Sequence, residues 1–433
     1  MESKEGGLFS HDPAIFYDKE QGYFYTYSTD AGPNIKKRVG GQIRRSKDLI
    51  HFEYIGTALK DGKMPEEVVR HTKAATVWAP DIIKYEKEYR LYYSASTFGS
   101  QYSAIGLAVS SSPEGPFEHR GIVIETTPES PVNAIDANPV IEEETGDHYM
   151  VYGSFWGGIR ILKLDKETGL AAEEGYGVSI ARRSKLANTA IEGAYVKYHK
   201  ETGYYYLFVS YDSLANLYNV RVARSKCIKG PYLDYHGVAM TDLSLPPNHV
   251  GLKITTGYSF SSGTGFLALG HNSVLNYKDE WFLICHARYE KDPRLHCLNV
   301  RKMLFTEDGW PLVSPSLYSG EKVEEIKETK IKEVVCGEYL RIDFMQDVYK
   351  LCETPVPMLL YSDGTVKLPG IRGHWEFDGM YSQVKIIYNG VREIYYILPG
   401  FDRENNRTTY VMTGMNNNGN CIWCKKVESG LTE

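Results

Sequence analysis

The 433 residues predict an all-β protein, a five-bladed β-propeller followed by a small β-sandwich or barrel. Three observations support this. First, one unit recurs five times: HDPAIFYDKEQGYFYTYS from His11, WAPDIIKYEKEYRLYYSAS from Trp78, IDANPVIEEETGDHYMVYGS from Ile135, IEGAYVKYHKETGYYYLFVSYD from Ile191 and GHNSVLNYKDEWFLICHARY from Gly270. Each opens on a polar or aromatic head, continues as a strand, turns on charged residues and closes on Tyr, Phe or Val, which reads as a hairpin. Second, the heads at Asp12, Trp78, Asp136, Glu192 and His271 follow one another at 66, 58, 56 and 79 residues. Such periods, with four short strands per repeat, mark a propeller. Third, the unit stops past Pro315 and gives way to short alternating strands between turn signals.

Residues 1–10 read as a leader into blade one, which covers 11–60 with outer strands at 41–45 and 51–54. A Lys/Glu-rich connector at 60–73 leads to blade two, 74–125, with outer strands at 104–110 and 121–124. Residues 128–133 mark the next boundary, followed by blade three at 134–183 and its strand at 158–164. Blade four spans 184–242 with a strand at 220–225, and blade five 270–315 with one at 296–304. Between them, 242–269 is long, rich in Gly and Ser, and without a strand pattern. Long loops are functional or mobile, so this one reads either as a rim over the channel mouth or as a surface excursion. The propeller domain is thus assigned to 1–318 and the C-terminal all-β domain to 319–433, with strands at 338–344, 365–368, 373–377, 383–388, 393–399, 408–412 and 421–425.

A net charge of −6 provides no basic footprint for nucleic acid. No run approaches the ~20 apolar residues that cross a bilayer, and the first residues contain no apolar secretory core. The seven cysteines, an odd number, fit no metal framework, and Cys421-Ile-Trp-Cys424 stands without a second pair. Any disulfide pairing is left open, and Asn406-Arg-Thr408 is a glycosylation sequon only in a secretory setting. Tyrosine outnumbers phenylalanine 34 to 15, which suits half-exposed strands and also ring stacking on the C–H faces of sugars.

First strands of propeller blades line the central channel, so the heads converge at one end of the axis. Four of them carry groups for chemistry: Asp12, Asp136, Glu192 and His271. Three carboxylates brought together cost energy unless one keeps its proton. Glycosidic hydrolysis uses that arrangement, with one carboxylic acid protonating the leaving oxygen and one carboxylate activating water or attacking. A third carboxylate beside the acid would raise its pKa.

The chain resembles glycoside hydrolase family 43, in particular its endo-α-1,5-L-arabinanases. The resemblance is carried by HDPAIF, WAPD, YYSASTFGSQYSAIGLAVS, the segment around IDANP, YGSFWGGIRI, IEGAYV with YYYLFVSYD, GHNSV and FTEDGWPLVSP, in family order over roughly residues 10–315. It implies Asp12 as general base, Glu192 as general acid and Asp136 as the third carboxylate, tuning and orienting Glu192. It also implies inversion, with the Asp12 and Glu192 carboxyls about 6.5–9.5 Å apart. His271 matches a histidine that binds an axial metal, usually calcium, otherwise held by water; a channel histidine without metal is the other reading. Trp78 and Phe98 correspond to sugar-stacking positions, and Asn138, Ser154 and Trp156 to subsite positions. The segment 211–216, YDSLAN, departs from the family's frequent cysteine pair, which leaves endo against exo action open.

The implied substrate is arabinan or arabino-oligosaccharide. An exo-acting arabinofuranosidase or β-xylosidase of the same fold, and a non-catalytic carbohydrate-binding propeller, are the alternatives. A polymeric substrate implies an extracytoplasmic site, whereas imported oligosaccharides would suit the cytoplasm. Oligomeric state is not legible.

Overall fold

The computed structural model describes residues 6–32, 39–323, 326–348, 350–379 and 382–427. Twenty propeller strands form five four-stranded antiparallel sheets, each in simple sequence order outward from the axis. Blade I holds β1 (Ala14–Asp18), β2 (Tyr23–Ser28), β3 (Gln42–Ser46) and β4 (Glu53–Thr57). Blade II holds β5 (Trp78–Tyr85), β6 (Glu88–Ala95), β7 (Ser103–Ser110) and β8 (Glu118–Thr126). Blade III holds β9 (Asn138–Ile141), β10 (His148–Tyr152), β11 (Ile159–Leu164) and β12 (Val178–Ala181). Blade IV holds β13 (Ile191–His199), β14 (Tyr204–Tyr211), β15 (Asn219–Ser225) and β16 (Leu252–Lys253), and blade V β17 (Phe266–Tyr277), β18 (Glu280–Tyr289), β19 (His296–Phe305) and β20 (Pro311–Val313).

The second strands are apolar on both faces because each blade is packed on both sides. Successive strand residues point to opposite faces. In β14, Tyr205, Leu207 and Val209 join the blade III side, with Val151 and Ile161, while Tyr206 and Phe208 join the blade V side, with Val274 and Leu283. Every inter-blade gap has its own apolar cluster. Blades I and II meet at Tyr27 and Leu91, II and III at Leu107 and Met150, and V and I at Phe24 and Phe282.

The leader does more than enter blade I. Leu8 bridges Cys297 on β19, the Phe9 N–H donates to His296 O at 3.0 Å, and Arg44 of blade I donates to the carbonyls of Gly6 and Leu8 at 2.7 and 2.9 Å. Residues 6–9 therefore tie the first blade to the last; residues 1–5 of the expected leader lie outside the described residues.

The insert at 242–269 is not without structure. It supplies β16, the fourth strand of blade IV, and the start of β17. Two residues of pairing are too few to leave a periodic pattern, and the strand is placed by tertiary bonds. Arg221 donates to Asn248 O at 2.8 Å, and Gly251 N donates to Asp234 Oδ2 at 2.9 Å.

The C-terminal strands close into an eight-stranded barrel: β21 (Gly337–Asp343), β22 (Val356–Leu360), β23 (Thr365–Leu368), β24 (Ile371–Asp378), β25 (Gln383–Tyr388), β26 (Val391–Asp402), β27 (Arg407–Asn416) and β28 (Cys421–Lys426). The seven strands read from sequence are present. The eighth, β22, carries Pro357, which weakens a strand signal. All seven cysteines are free thiols, with Cys421 and Cys424 buried.

Trp423 on β28 is fully buried against the propeller. Its Nε1 donates to Val313 O at 2.6 Å, its edge meets the Tyr258 ring at 5.0 Å, and the Arg301 guanidinium lies 5.2 Å from its centroid. Ile342, Phe344 and Met415 share the apolar cluster of blades IV and V. The barrel thus covers apolar surface that the propeller would otherwise expose. Trp423→Ala is expected to lower unfolding stability by about 3–5 kcal/mol, and Trp423→Phe by about 1 kcal/mol for the lost hydrogen bond. Chemical denaturation measures both; an Ala variant as stable as wild type would show that this contact does not couple the domains.

Candidate functional site at the propeller axis

Each inner strand carries, just before it or within its first half, a residue in the left-handed region: Asp12 (φ 52°), Ala79 (φ 36°), Asp136 (φ 63°), Gly193 (φ 58°) and His271 (φ 49°). Such backbone is costly for non-glycine residues, so each must be held. For four of the five the holding group is a side chain at or near the end of the second strand of the preceding blade. Ala79 N donates to Thr29 Oγ1 at 2.8 Å, Asp136 N to Ser94 Oγ at 2.9 Å, His271 N to Ser210 Oγ at 2.7 Å and Asp12 N to His286 Nδ1 at 3.2 Å. In the remaining gap the pattern is inverted: Ser154 Oγ donates to the Glu192 carboxylate at 2.7 Å.

Asp12, Asp136 and His271 therefore occupy equivalent points, but Glu192 lies one residue ahead of its blade's turn, at Gly193. A Cβ at Gly193 would come within 3.0 Å of the His271 ring, so glycine here makes room for the imidazole.

The two outer carboxyls of the site sit in opposite environments. Burial alone would raise Asp12, but His11 at 2.9 Å and His271 at 3.1 Å hold it well below the usual carboxylate range. Thr29 Oγ1 donates to it at 2.5 Å. Glu192 is raised by burial, opposed by hydrogen bonds from Ser154 and from Tyr218 Oη at 3.0 Å. Burial likewise pushes Asp136 up to about 7, with His271 opposing and the other two carboxylates adding to the rise. Its Oδ2 accepts from Gly193 N at 3.1 Å, tying it to the backbone beside Glu192. His271, facing all three carboxylates, overcomes its own burial and is raised to about 9.

The other expected residues separate into two groups. Asn138 is 3% exposed and spends its amide on the blades, donating to Asp81 Oδ2 at 2.8 Å and accepting from Val196 N at 2.8 Å. It clamps blades II, III and IV and also lines the axial cavity with Asp12, Asp136 and His271. Ser154, 2% exposed, spends its hydroxyl on Glu192. Trp78 is half-buried, with Nε1 on Thr76 Oγ1 at 3.0 Å, whereas Phe98 and Trp156 are 89% and 42% exposed and available to stack.

Sequence reasoning missed Thr29, Tyr218 and His286. Thr29 and His286 were accessible by aligning the last residues of the second strands. Tyr218 had no such signal, because it reaches Glu192 from the departing loop.

An axial metal has a partial fit. A cavity of about 20 Å3 is lined by Asp12, Asp136, His271 and Asn272 among others, and both amide atoms of Asn272 are buried without partners among the described residues. These include oxygen donors of the kind calcium prefers. A second grouping, His11, Asp12 and His286, has its possible ligand atoms within 4.8 Å of one another. However, His286 Nδ1 already accepts from Asp12 N, and the His11 and His286 rings stack at 3.8 Å. Among the described residues no helix is long and apolar enough to cross a membrane.

The sign of the Asp136 shift makes a stability prediction. A carboxyl raised by folding binds more protons folded than unfolded, so stability falls as pH rises from the unfolded value near 4 towards 7. Asp136→Asn, which keeps an acceptor for Gly193 N, is expected to stabilise the fold by about 1–3 kcal/mol at pH ~8, with the gain vanishing near pH ~4. Denaturant titrations at the two pH values check this; equal gains at both would refute it.

Comparison with known proteins agrees with this geometry. Residues 7–311 match the glycosyl hydrolases family 43, and residues 315–424 match a C-terminal lipocalin-like domain. An extracellular endo-α-(1→5)-L-arabinanase of Thermotoga petrophila is 32% identical, covering 96% of this chain and 93% of the relative. The crystal structure of an endo-1,5-α-L-arabinanase from Thermotoga petrophila superposes with a TM-score of 0.83 at 30% identity, over 98% of this chain and 99% of that one. An extracellular exo-α-(1→5)-L-arabinofuranosidase of Cellvibrio japonicus is also 32% identical, over 70% of this chain and 86% of its own length. The two-domain architecture is thus shared across nearly the whole length, and the chain belongs to glycosyl hydrolase family 43, as a glycoside hydrolase with a C-terminal β-domain.

Proposed function

We propose that the protein hydrolyses α-1,5-linked L-arabinofuranose chains by a single displacement with inversion, Asp12 as general base and Glu192 as general acid. The observation that carries this reading is the opposed environment of the two groups. The imidazoles hold one carboxyl well below the usual carboxylate range and burial raises the other above it, which is the direction in which acid and base roles are divided. Glu192 gives its proton to the glycosidic oxygen as that bond to the anomeric carbon breaks. A water attacks the same carbon from the opposite face, and Asp12 takes its proton. Asp136 fixes the backbone next to Glu192 and, because burial raises both, shares the proton burden with it. The substrate class rests on the relatives' names, which include both endo and exo enzymes. The relatives named extracellular support a secreted protein.

Product analysis on linear α-1,5-arabinan tests the proposal. Mixed oligosaccharides early in the reaction are expected, and arabinose alone would favour exo action. Glu192→Gln and Asp12→Asn should each lower kcat/KM at least about 100-fold, and the alkaline limb of the wild-type pH profile should disappear in Glu192→Gln. Wild-type turnover of neither arabinan nor aryl glycosides, with sugar binding retained, would leave a carbohydrate-binding propeller.

We also propose an axial calcium ion held by His271 and otherwise by water and nearby oxygen donors. When bound, it supplies fixed positive charge beside the three carboxylates. His271 already supplies such charge as an imidazolium, so cation binding requires loss of its proton. Calorimetric titration of calcium into chelator-treated protein is expected to show affinity rising between pH ~6 and ~9, and no heat at either pH would remove the metal from the site.

A further inference from the structure

A groove beside the acid differs in charge from the chain around it. It has a volume of about 600 Å3 and is lined by Pro131, Trp156, Arg182, Lys185, Asn188 and Thr189. That volume lies within the range of roughly 300–1,000 Å3 typical of ligand sites. Its two walls are the segments that carry the Glu192 machinery. Phe155 N donates to Ile191 O at 2.8 Å, and Ser154, two residues before Trp156, donates to Glu192.

The cations of this groove lack the partners that surface cations usually have. Arg183, between them in sequence, is buried and paired with Asp212 at 2.7 Å, and it also anchors Ala190 O at 2.8 Å. Among the described residues, Arg182 and Lys185 make no ion pair and no side-chain hydrogen bond, and both are exposed. In a chain of net charge −6 the groove holds two unpaired positive charges next to an exposed indole. Further aromatic surface extends the same rim. Phe98 and Tyr102 are 89% and 48% exposed, and Gln101 between them donates to Ser130 O and Val132 O at 3.3 Å, flanking Pro131.

We infer that this groove is a subsite for a negatively charged sugar, a uronic acid residue carried on the polysaccharide at a distance from the bond being cut. The sugar's C–H face lies on Trp156, and its carboxylate is met by Arg182 and Lys185, with Asn188 and Thr189 offering polar contacts to hydroxyls. Arginine matches a carboxylate with two parallel donors, whereas lysine contributes a point charge. This rests on the hydrolase reading for its substrate but is tested by binding alone.

The test uses Glu192→Gln protein, so that no ligand is consumed, and two oligosaccharides differing only in a terminal uronic acid or its carboxyl-reduced neutral counterpart. Calorimetry is expected to show the charged ligand binding about fivefold tighter at low salt, the scale of two exposed ion pairs. The preference should fade towards one at about 0.5 M salt. In the double variant Arg182→Ala, Lys185→Ala the affinity ratio should fall to about one, and Lys185→Glu should reverse it. Equal affinities at low salt, or a preference that survives the double variant, would overturn the subsite. Failure to hydrolyse arabinan with the ratio intact would instead overturn the reaction.

Discussion

The structure depends on one backbone constraint. Five inner strands must turn into the axis, each through a left-handed residue, and that residue's N–H is typically taken by a side chain near the end of the neighbouring blade's second strand. Four of the five gaps use this bond, and the fifth exchanges it for a bond to Glu192. The same contact that closes the ring therefore positions the chemistry. Asp12, Asp136 and His271 reach the axis because their backbone is turned there, and Glu192 reaches it because glycine takes the turn in its place. Building the site on packed strands, not on loops, limits the freedom of its carboxyls.

Electrostatics completes what the turns begin. Three carboxyls and the His271 imidazole meet at the axis, where desolvation is the largest single influence on each of them. Asp12 escapes it by touching two imidazoles, whereas Glu192 has only neutral donors, so their proton affinities diverge. His286 shows the reverse side of the same balance. Burial and neighbouring imidazoles hold it well below its ordinary range, and as a neutral ring it can accept the Asp12 N–H. His271, facing all three carboxylates, is by contrast raised.

The barrel contributes through packing. Trp423 and its apolar neighbours cover the outer side of blades IV and V, and Arg221 of blade IV donates to the side chain and carbonyl of Gln346 at 2.7 and 2.6 Å. Those blades carry Glu192 and His271. The leader performs a similar task at the opposite seam, where blade V meets blade I and where Asp12 sits. Both elements brace the blades whose heads carry the acid and the base.

By itself the sequence determined the repeat, the five heads and the identity of the chemical groups. Alternation, charged turns and head spacing are local properties that survive without tertiary context. Only the tertiary structure decided how those groups are used. That the Asn138 amide spans three blades and the Ser154 hydroxyl is spent on Glu192 is visible only in the folded chain. The short strand β16 and the Pro-bearing strand β22 exist because neighbours pair with them, and closure of the C-terminal strands into a barrel depends on the β21–β28 pairing across the whole domain. Proton affinities were beyond the sequence for the same physical reason: burial and charge at a carboxyl are set by residues such as Thr29, Tyr218 and His286, brought to it from other blades or loops by the fold.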